Sequence, residues 1–522
     1  WRRLLLLLLL VVVATILAQK EKFKMFGSTG YRDCHGDYVD EMDMEDHGLL
    51  MYSNQSSLKT LPVPDLHETC EKYLKTVRPL VDDEAYEKTV AAVKEFTAPG
   101  GMGEELQRRL LARRAEKGRS SWLAHWWNTW GYLQVRDPVV VNVSYFFHLA
   151  DGPLPAHRNQ AVRAASLLVP LLKFHEMTIS GALPANTARG TPLDMTAYKY
   201  IFNACRIPQR EQDCWRLSDP AANMHVVVAR HHKFYRLELL TPLGRPLAEA
   251  ELARRLQDVI DCAGTFESPL GALTSWDRDS WADARAQLLE DGNEAALRAI
   301  EGAVCLVCLD AFPVRSREQM SKNLWHGDGR NRWYDKSIQL VVAENGAAGL
   351  LMEHSMADGF PATTYADYML KHERAEATSG KVPQIPLLGA GACTAGPGAP
   401  QKIDFRVSKA TLANIAAAER AFDALVASHD VRVLAFQGFG SSFLKTLKVS
   451  PDAFCQMAIQ LAYYQMTGTV KPTYEAAMML PFRHGRTETV RSVSGESKAF
   501  VEAFQAAPEG GGGRAGRARL AG

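Results

Sequence analysis

The stretch from Ser337 to Phe360 constrains this 522-residue chain more than any other. Ser337-Ile-Gln-Leu-Val-Val-Ala343 has the continuous apolar character of a buried strand, and Asn345-Gly346 just beyond it is the strongest short-range hairpin signal. A second apolar strand, Gly349 to Met352, then delivers Glu353, His354 and Asp358 to its end, with Gly359 and Pro361 closing the turn. Two readings of His354 stand side by side. Spacing alone favours a histidine that caps a strand and is satisfied by backbone, because His-x-x-x-Asp is a loose pattern. The alternative is a general base, for which an imidazole with an ordinary pKa of about 6.5 is well suited.

A chain of this length exceeds what one core holds, so two domains or two packed lobes are expected. Sixty basic residues against 59 acidic ones leave no global field, which argues against nucleic acid as a partner. Nine scattered cysteines form no disulfide framework and fit a reducing compartment. Cys305 and Cys308 are spaced as C-x-x-C, but within an apolar strand from Ala303 to Leu309 their side chains point to opposite faces, which predicts burial rather than metal or redox work. No metal site is expected.

The apolar run within residues 1–18 has a basic flank and reads as a leader or membrane anchor, short for a spanning helix, or as low complexity. Residues 19–57 read as a disordered acidic linker and 505–522 as a disordered glycine-rich tail. In the body, Asp65 and Asp82 or Asp83 are placed to cap helices. Four tryptophans between Trp122 and Trp130 predict a packed wall that Tyr132 joins. A strand is expected over 139–147, one helix over 280–302, and strands over 403–407 and 431–437. Lys445 and Lys448 precede a helix cap at Ser450, an arrangement that can hold a phosphate but is also what a solvated face looks like. Around Arg486 to Ser492, hydroxyls alternate with arginines, which suits a small anion or simple surface ion pairs.

Taken together, a series of blocks resembles the carnitine/choline acyltransferase family, and within it the carnitine O-acetyltransferases of fungi. The blocks are Leu61-Pro-Val-Pro64, Trp122-Leu-x-x-Trp-Trp127, Tyr132-Leu, Arg136-Asp-Pro-Val-Val, Cys205-Arg-Ile-Pro208, Leu273-Thr-Ser275 and Asn331-Arg-Trp-Tyr-Asp-Lys336 in the first part. Glu353-His354, Phe439-Gly440, Ser450-Pro-Asp452, Leu461-Ala-Tyr-Tyr464, Tyr474-Glu475 and Arg486-Thr-x-Thr-x-Arg-Ser492 follow. They occur in family order from about residue 58 to 504, and that order moves His354 from the capping reading to the catalytic one.

The resemblance implies an α/β fold of two lobes, each a mixed β-sheet covered by helices and similar to chloramphenicol acetyltransferase, with a tunnel between them. The catalytic-histidine lobe is expected over 118–398, and the lobe for coenzyme A and carnitine over 58–117 plus 399–504. It implies reversible acyl transfer, acetyl or short-chain, between coenzyme A and the carnitine hydroxyl, with acyl-CoA as co-substrate and no covalently bound cofactor. His354 matches the catalytic histidine, and Asp358 falls where an acidic residue braces its loop. Lys445, Lys448 and Asp452 match the coenzyme A segment; Tyr474 and Thr487 match residues for the carnitine carboxylate, and Thr487 favours carnitine over choline. A monomer is expected, and the resemblance implies mitochondria or peroxisomes; the apolar leader, apart from the resemblance, would allow membrane association through residues 4–18.

Several positions depart from the pattern. Lys59 stands where proline is usual, Ser441 where many members carry a first coenzyme A lysine, and Ala476 in place of a serine. Family features beyond residue 504, among them an arginine, a Ser-Thr-Ser motif and the strands completing the second sheet, have no match, so the second lobe is expected to be incomplete. The alternative function is therefore a truncated, non-catalytic remnant that at best binds coenzyme A.

Overall fold

The computed structural model describes residues 31–34, 49–116, 120–378 and 398–506. The expected leader over 1–18 lies outside the described residues, as do most of the linker over 19–57 and all but the first two residues of the 505–522 tail. Residues 49–57 depart from the linker expectation: Met51 and Tyr52 are buried in the main core, and the Gln55 side chain donates to Asp194 at 2.5 Å. The chain forms two compact units, one containing 123–433 with the residues up to 58, the other containing 59–122 and the chain from 434 on.

A seven-stranded mixed sheet organises the first unit. Its order is Gln401–Lys402, Lys233–Glu238, His225–Arg230, Leu306–Leu309, Ile338–Val342, Ala348–Met352, Tyr145–His148. Leu306–Leu309 runs parallel to both neighbours, and the remaining pairs are antiparallel. Because side chains alternate along a strand, Val226, Val307, Leu340 and Leu350 enter one core while Val227, Leu306, Val341 and Leu351 enter another. Helices Gln160–Ile179, Glu249–Cys262 and Gly359–Thr378 contribute to the first core; Arg278–Glu290, Glu294–Gly302, Arg317–Trp325 and Lys409–Ala427 contribute to the second. Coverage on both faces explains why the central strands read as unbroken apolar runs. Cys305 and Cys308 fall in different cores, and burial pushes both thiols up to about 12. Among the described residues no group of three or more metal-ligating side chains comes together.

Local structure differs from expectation where a backbone signal intervenes. The expected strand over 139–147 begins only at Tyr145, because Val141 takes φ 70° in a tight turn. The helix expected over 280–302 is two helices, broken where Gly292 adopts φ 84°. Residues 403–407 and 431–437 are not strands; Gln401–Lys402 provides the edge strand instead. The segment 399–433, expected with the second lobe, belongs to the first unit, because Ile415, Ala418 and Phe422 of helix Lys409–Ala427 bury in its second core.

The second unit carries helices Leu66–Val77 and Asp83–Phe96, capped by the side chains of Asp65 and Asp82, and helices Met102–Arg114, Ser441–Thr446, Pro451–Thr467 and Gly495–Ala506. Tyr474–Met478 and Thr487–Arg491 form an antiparallel hairpin. Its core is small: Val470, Val493 and Val501, with Leu80, Leu461, Tyr464 and Phe500 packed against them.

Candidate active site

The turn that sets the hairpin leading to His354 depends on Gly346. It adopts φ 80°, and a Cβ there would sit 2.0 Å from the His157 carbonyl oxygen. Strand Ala348–Met352 then runs fully buried between Ile338–Val342 and Tyr145–His148, with Met352 opposite both Ile338 and Tyr145. Two residues later the chain leaves the sheet and presents His354, whose side chain keeps 29% of its surface exposed.

The imidazole is held from three sides. Tyr145 packs edge-on at 4.7 Å between ring centroids, Tyr132 lies tilted at 5.2 Å, and Nδ1 sits 3.1 Å from the Ala357 carbonyl oxygen. A carbonyl oxygen can only accept, so that contact places the proton of the neutral ring on Nδ1 and the lone pair on Nε2. Asp358 Oδ1 lies 3.7 Å from Nδ1, on the same side of the ring as the Ala357 carbonyl contact. The Tyr145 hydroxyl donates to the Asp358 carbonyl at 3.2 Å and ties the loop back to the sheet. The structure thus brings together His354 and Asp358, the two residues expected of this loop.

Sequence reasoning missed what stands behind them. Glu353 is buried; one of its oxygens accepts from Arg206 Nη1 at 3.0 Å, the other from the Ser355 amide and hydroxyl at 2.9 and 2.8 Å. Ser355 Oγ in turn accepts from Trp215 Nε1. Arg206 also donates to the Tyr132 carbonyl and to Asp213, so one buried guanidinium holds both the segment carrying Tyr132 and the residue preceding His354. Asp213 continues the chain to Arg278, which pairs with Asp335. Burial alone would raise the Asp213 carboxyl, but Arg278, Arg206 and Arg136 more than reverse this and hold it below its usual range. The available signal was Arg206 itself, a charged residue inside the buried strand Ala204–Ile207.

In the second unit, Lys445 lies in the last turn of helix Ser441–Thr446, Lys448 follows that helix at φ 57°, and Asp452 lies in the first turn of Pro451–Thr467. The Ser450 hydroxyl caps that helix by accepting from the Ala453 amide. Both lysines precede that helix in the chain, Lys445 from the helix before it. Tyr474 and Thr487 share a face of the hairpin but not a neighbourhood: Tyr474 pairs with Arg491 and Thr487 with Met478, four ladder steps or about 13 Å apart. Glu475 links the two segments. Desolvation and the nearby Asp452 charge, with a shared hydrogen bond, raise its carboxyl above the ordinary range.

A large mixed sheet covered by helices, with a histidine presented where one of its strands ends, is consistent with the fold of an acyltransferase. Residues 61–514 match the model of the choline/carnitine O-acyltransferase family. Carnitine O-acetyltransferase of Columba livia is 35% identical over 465 residues, covering 86% of this chain and 72% of the relative. The Homo sapiens enzyme of the same name is 35% identical over 469 residues, covering 87% and 72%. The mitochondrial carnitine O-palmitoyltransferase 2 of Macaca fascicularis is 33% identical over 486 residues, with the same 87% and 72%. The chain belongs to the choline/carnitine O-acyltransferase family.

Proposed function

We propose that this chain transfers an acyl group reversibly between coenzyme A and the carnitine hydroxyl, with acetyl and other short chains preferred. His354 Nε2 takes the hydroxyl proton as the carnitine oxygen attacks the thioester carbonyl. The C–O bond forms, the C–S bond breaks, and the proton passes on to the departing thiolate; in the reverse direction the same nitrogen deprotonates the thiol. Asp358 stabilises the transient imidazolium. A thioester is reactive enough to be attacked directly, so no acyl-enzyme intermediate is needed.

Lys445, Lys448 and Asp452 are assigned to coenzyme A, the lysines to its phosphates. Tyr474 and Thr487 are assigned to carnitine by their match to the family pattern, with Thr487 at its carboxylate, the group that choline lacks. The relatives include acetyltransferases at 33–35% identity and palmitoyltransferases at 32–33%, so the acetyl preference rests on the resemblance of the sequence blocks and is decided by the substrate comparison below. The mitochondrial relative supports a mitochondrial location, with a peroxisomal one as the alternative, and the working unit is taken as a monomer. Among the described residues no helix is long and apolar enough to cross a membrane.

The observation that carries this reading is the Nδ1–Ala357 contact, which fixes the tautomer a base needs. The test measures thiol release from acetyl-CoA and palmitoyl-CoA with carnitine, for the parent and for His354→Ala. The variant is expected to lose at least 10²-fold in kcat. Acetyl transfer at an unchanged rate in His354→Ala would refute the base assignment, and faster turnover of palmitoyl-CoA would overturn the chain-length preference.

A further inference from the structure

A cavity of about 450 Å³ opens in the first unit among helices Gln160–Ile179, Glu249–Cys262 and Gly359–Thr378. Its wall is apolar along Val169, Leu172, Ile179, Met224 and Leu247, and its volume is that of a small-molecule site. The charged side chains on that wall are Glu176, Glu249, Glu376 and Lys173. Lys173 Nζ donates to His372 Nε2 at 2.6 Å, so this histidine is neutral, and burial together with the lysine charge lowers its pKa further.

A small extension lined by Glu249, His372 and Glu376 reaches Glu373, one position on from His372 and three before Glu376 on the same helix. Glu373 is 3% exposed. Its Oε1 accepts from Arg163 and Ser166, while its Oε2, fully buried, has no hydrogen-bond partner. A buried carboxylate oxygen without a donor is costly, and the cost is relieved by a ligand that supplies one. Burial and the charges of Glu376 and Glu373 raise the Glu249 carboxyl, a sign of like-charge crowding in the same place.

We infer that this cavity binds an organic cation with N–H donors on an unbranched apolar chain, its head among Glu249, Glu373 and Glu376 and its tail along Leu172 and Met224. None of these residues belongs to the His354 site, so binding here stands or falls independently of acyl transfer. The probe is decylammonium, titrated calorimetrically below its micelle concentration against decanoate and decyltrimethylammonium.

Decylammonium is expected to bind with 1:1 stoichiometry. Decanoate, which reverses the charge, and decyltrimethylammonium, which keeps the charge but loses the donors, are each expected to bind at least tenfold more weakly. The double variant Glu249→Gln/Glu376→Gln should weaken decylammonium at least tenfold, Ala248→Trp at the rim should block it, and His354→Ala should bind it as the parent does. Equal binding of decanoate, equal binding of decyltrimethylammonium, the absence of saturable binding, or parent-like affinity in both cavity variants overturns the assignment.

Discussion

At the scale of single residues, Glu353 does more for the site than its distance from the chemistry suggests. It stands between His354 and a guanidinium that also holds the Tyr132 carbonyl, so its charge fixes two of the elements around the imidazole at once. Glu353→Gln keeps the size of the side chain but removes the charge facing Arg206, which retains Asp213 as a partner. Half-breaking a buried pair of this kind costs about 3 kcal/mol of stability. As a positioning residue, Glu353 should act on kcat rather than on substrate affinity: kcat falls at least tenfold while KM for acyl-CoA changes by less than twofold. Steady-state kinetics separates the outcomes, and a variant with altered KM but parental kcat would show that Glu353 does not orient the base.

At the scale of elements, the hairpin from Ile338 to Met352 was legible because two independent signals agreed. Its strands carry apolar runs, and its turn needs a residue with positive φ. Gly346→Ala meets both a left-handed backbone and the His157 carbonyl, so it should cost more than the usual penalty of about 1 kcal/mol for a side chain at such a position. The expected result is a drop in the urea midpoint together with reduced transferase activity, because the displaced strand carries His354; a midpoint and activity equal to the parent's would contradict the role given to this turn. The histidine loop, the helix caps at Asp65 and Asp82, and the opposed faces of Cys305 and Cys308 were legible for the same reason, being set within a few residues. What escaped was long-range. Helix Lys409–Ala427 carries no local mark of which unit buries Phe422, the brace on Glu353 joins residues 147 positions apart, and the ladder that separates Tyr474 from Thr487 depends on strand register.

At the scale of the whole molecule, a sheet covered on both faces buries titratable side chains along with its apolar ones, and this sets how the fold responds to acid. His175 is fully buried, donates from Nε2 to Asn203 Oδ1 at 2.8 Å, and is pushed down to about 4, chiefly by burial. His225 donates to the Ala299 carbonyl at 2.8 Å and is pushed down to about 3 by burial and by Arg236. Both stay neutral in the folded chain while their unfolded counterparts, near 6.5, take up protons as pH falls. Between pH 6.5 and 4 the unfolded state therefore binds more protons, so stability is fully present above 6.5 and is lost as pH drops towards the folded values. Each imidazole contributes a slope of about 1.4 kcal/mol per pH unit across that window. Carboxylates held low by arginines, Asp213 among them, surrender their contribution only below their ordinary pKa of about 3.9, so the two groups separate on the pH axis. Urea unfolding of the full chain at pH 7, 6, 5 and 4.5 should show a steady fall in stability, and His175→Gln, which keeps a neutral hydrogen-bonding side chain facing Asn203, should flatten it by one proton's worth. An unchanged slope in that variant would mean that His175 is protonated in the folded chain, and that the sheet's helical cover admits water where these contacts exclude it.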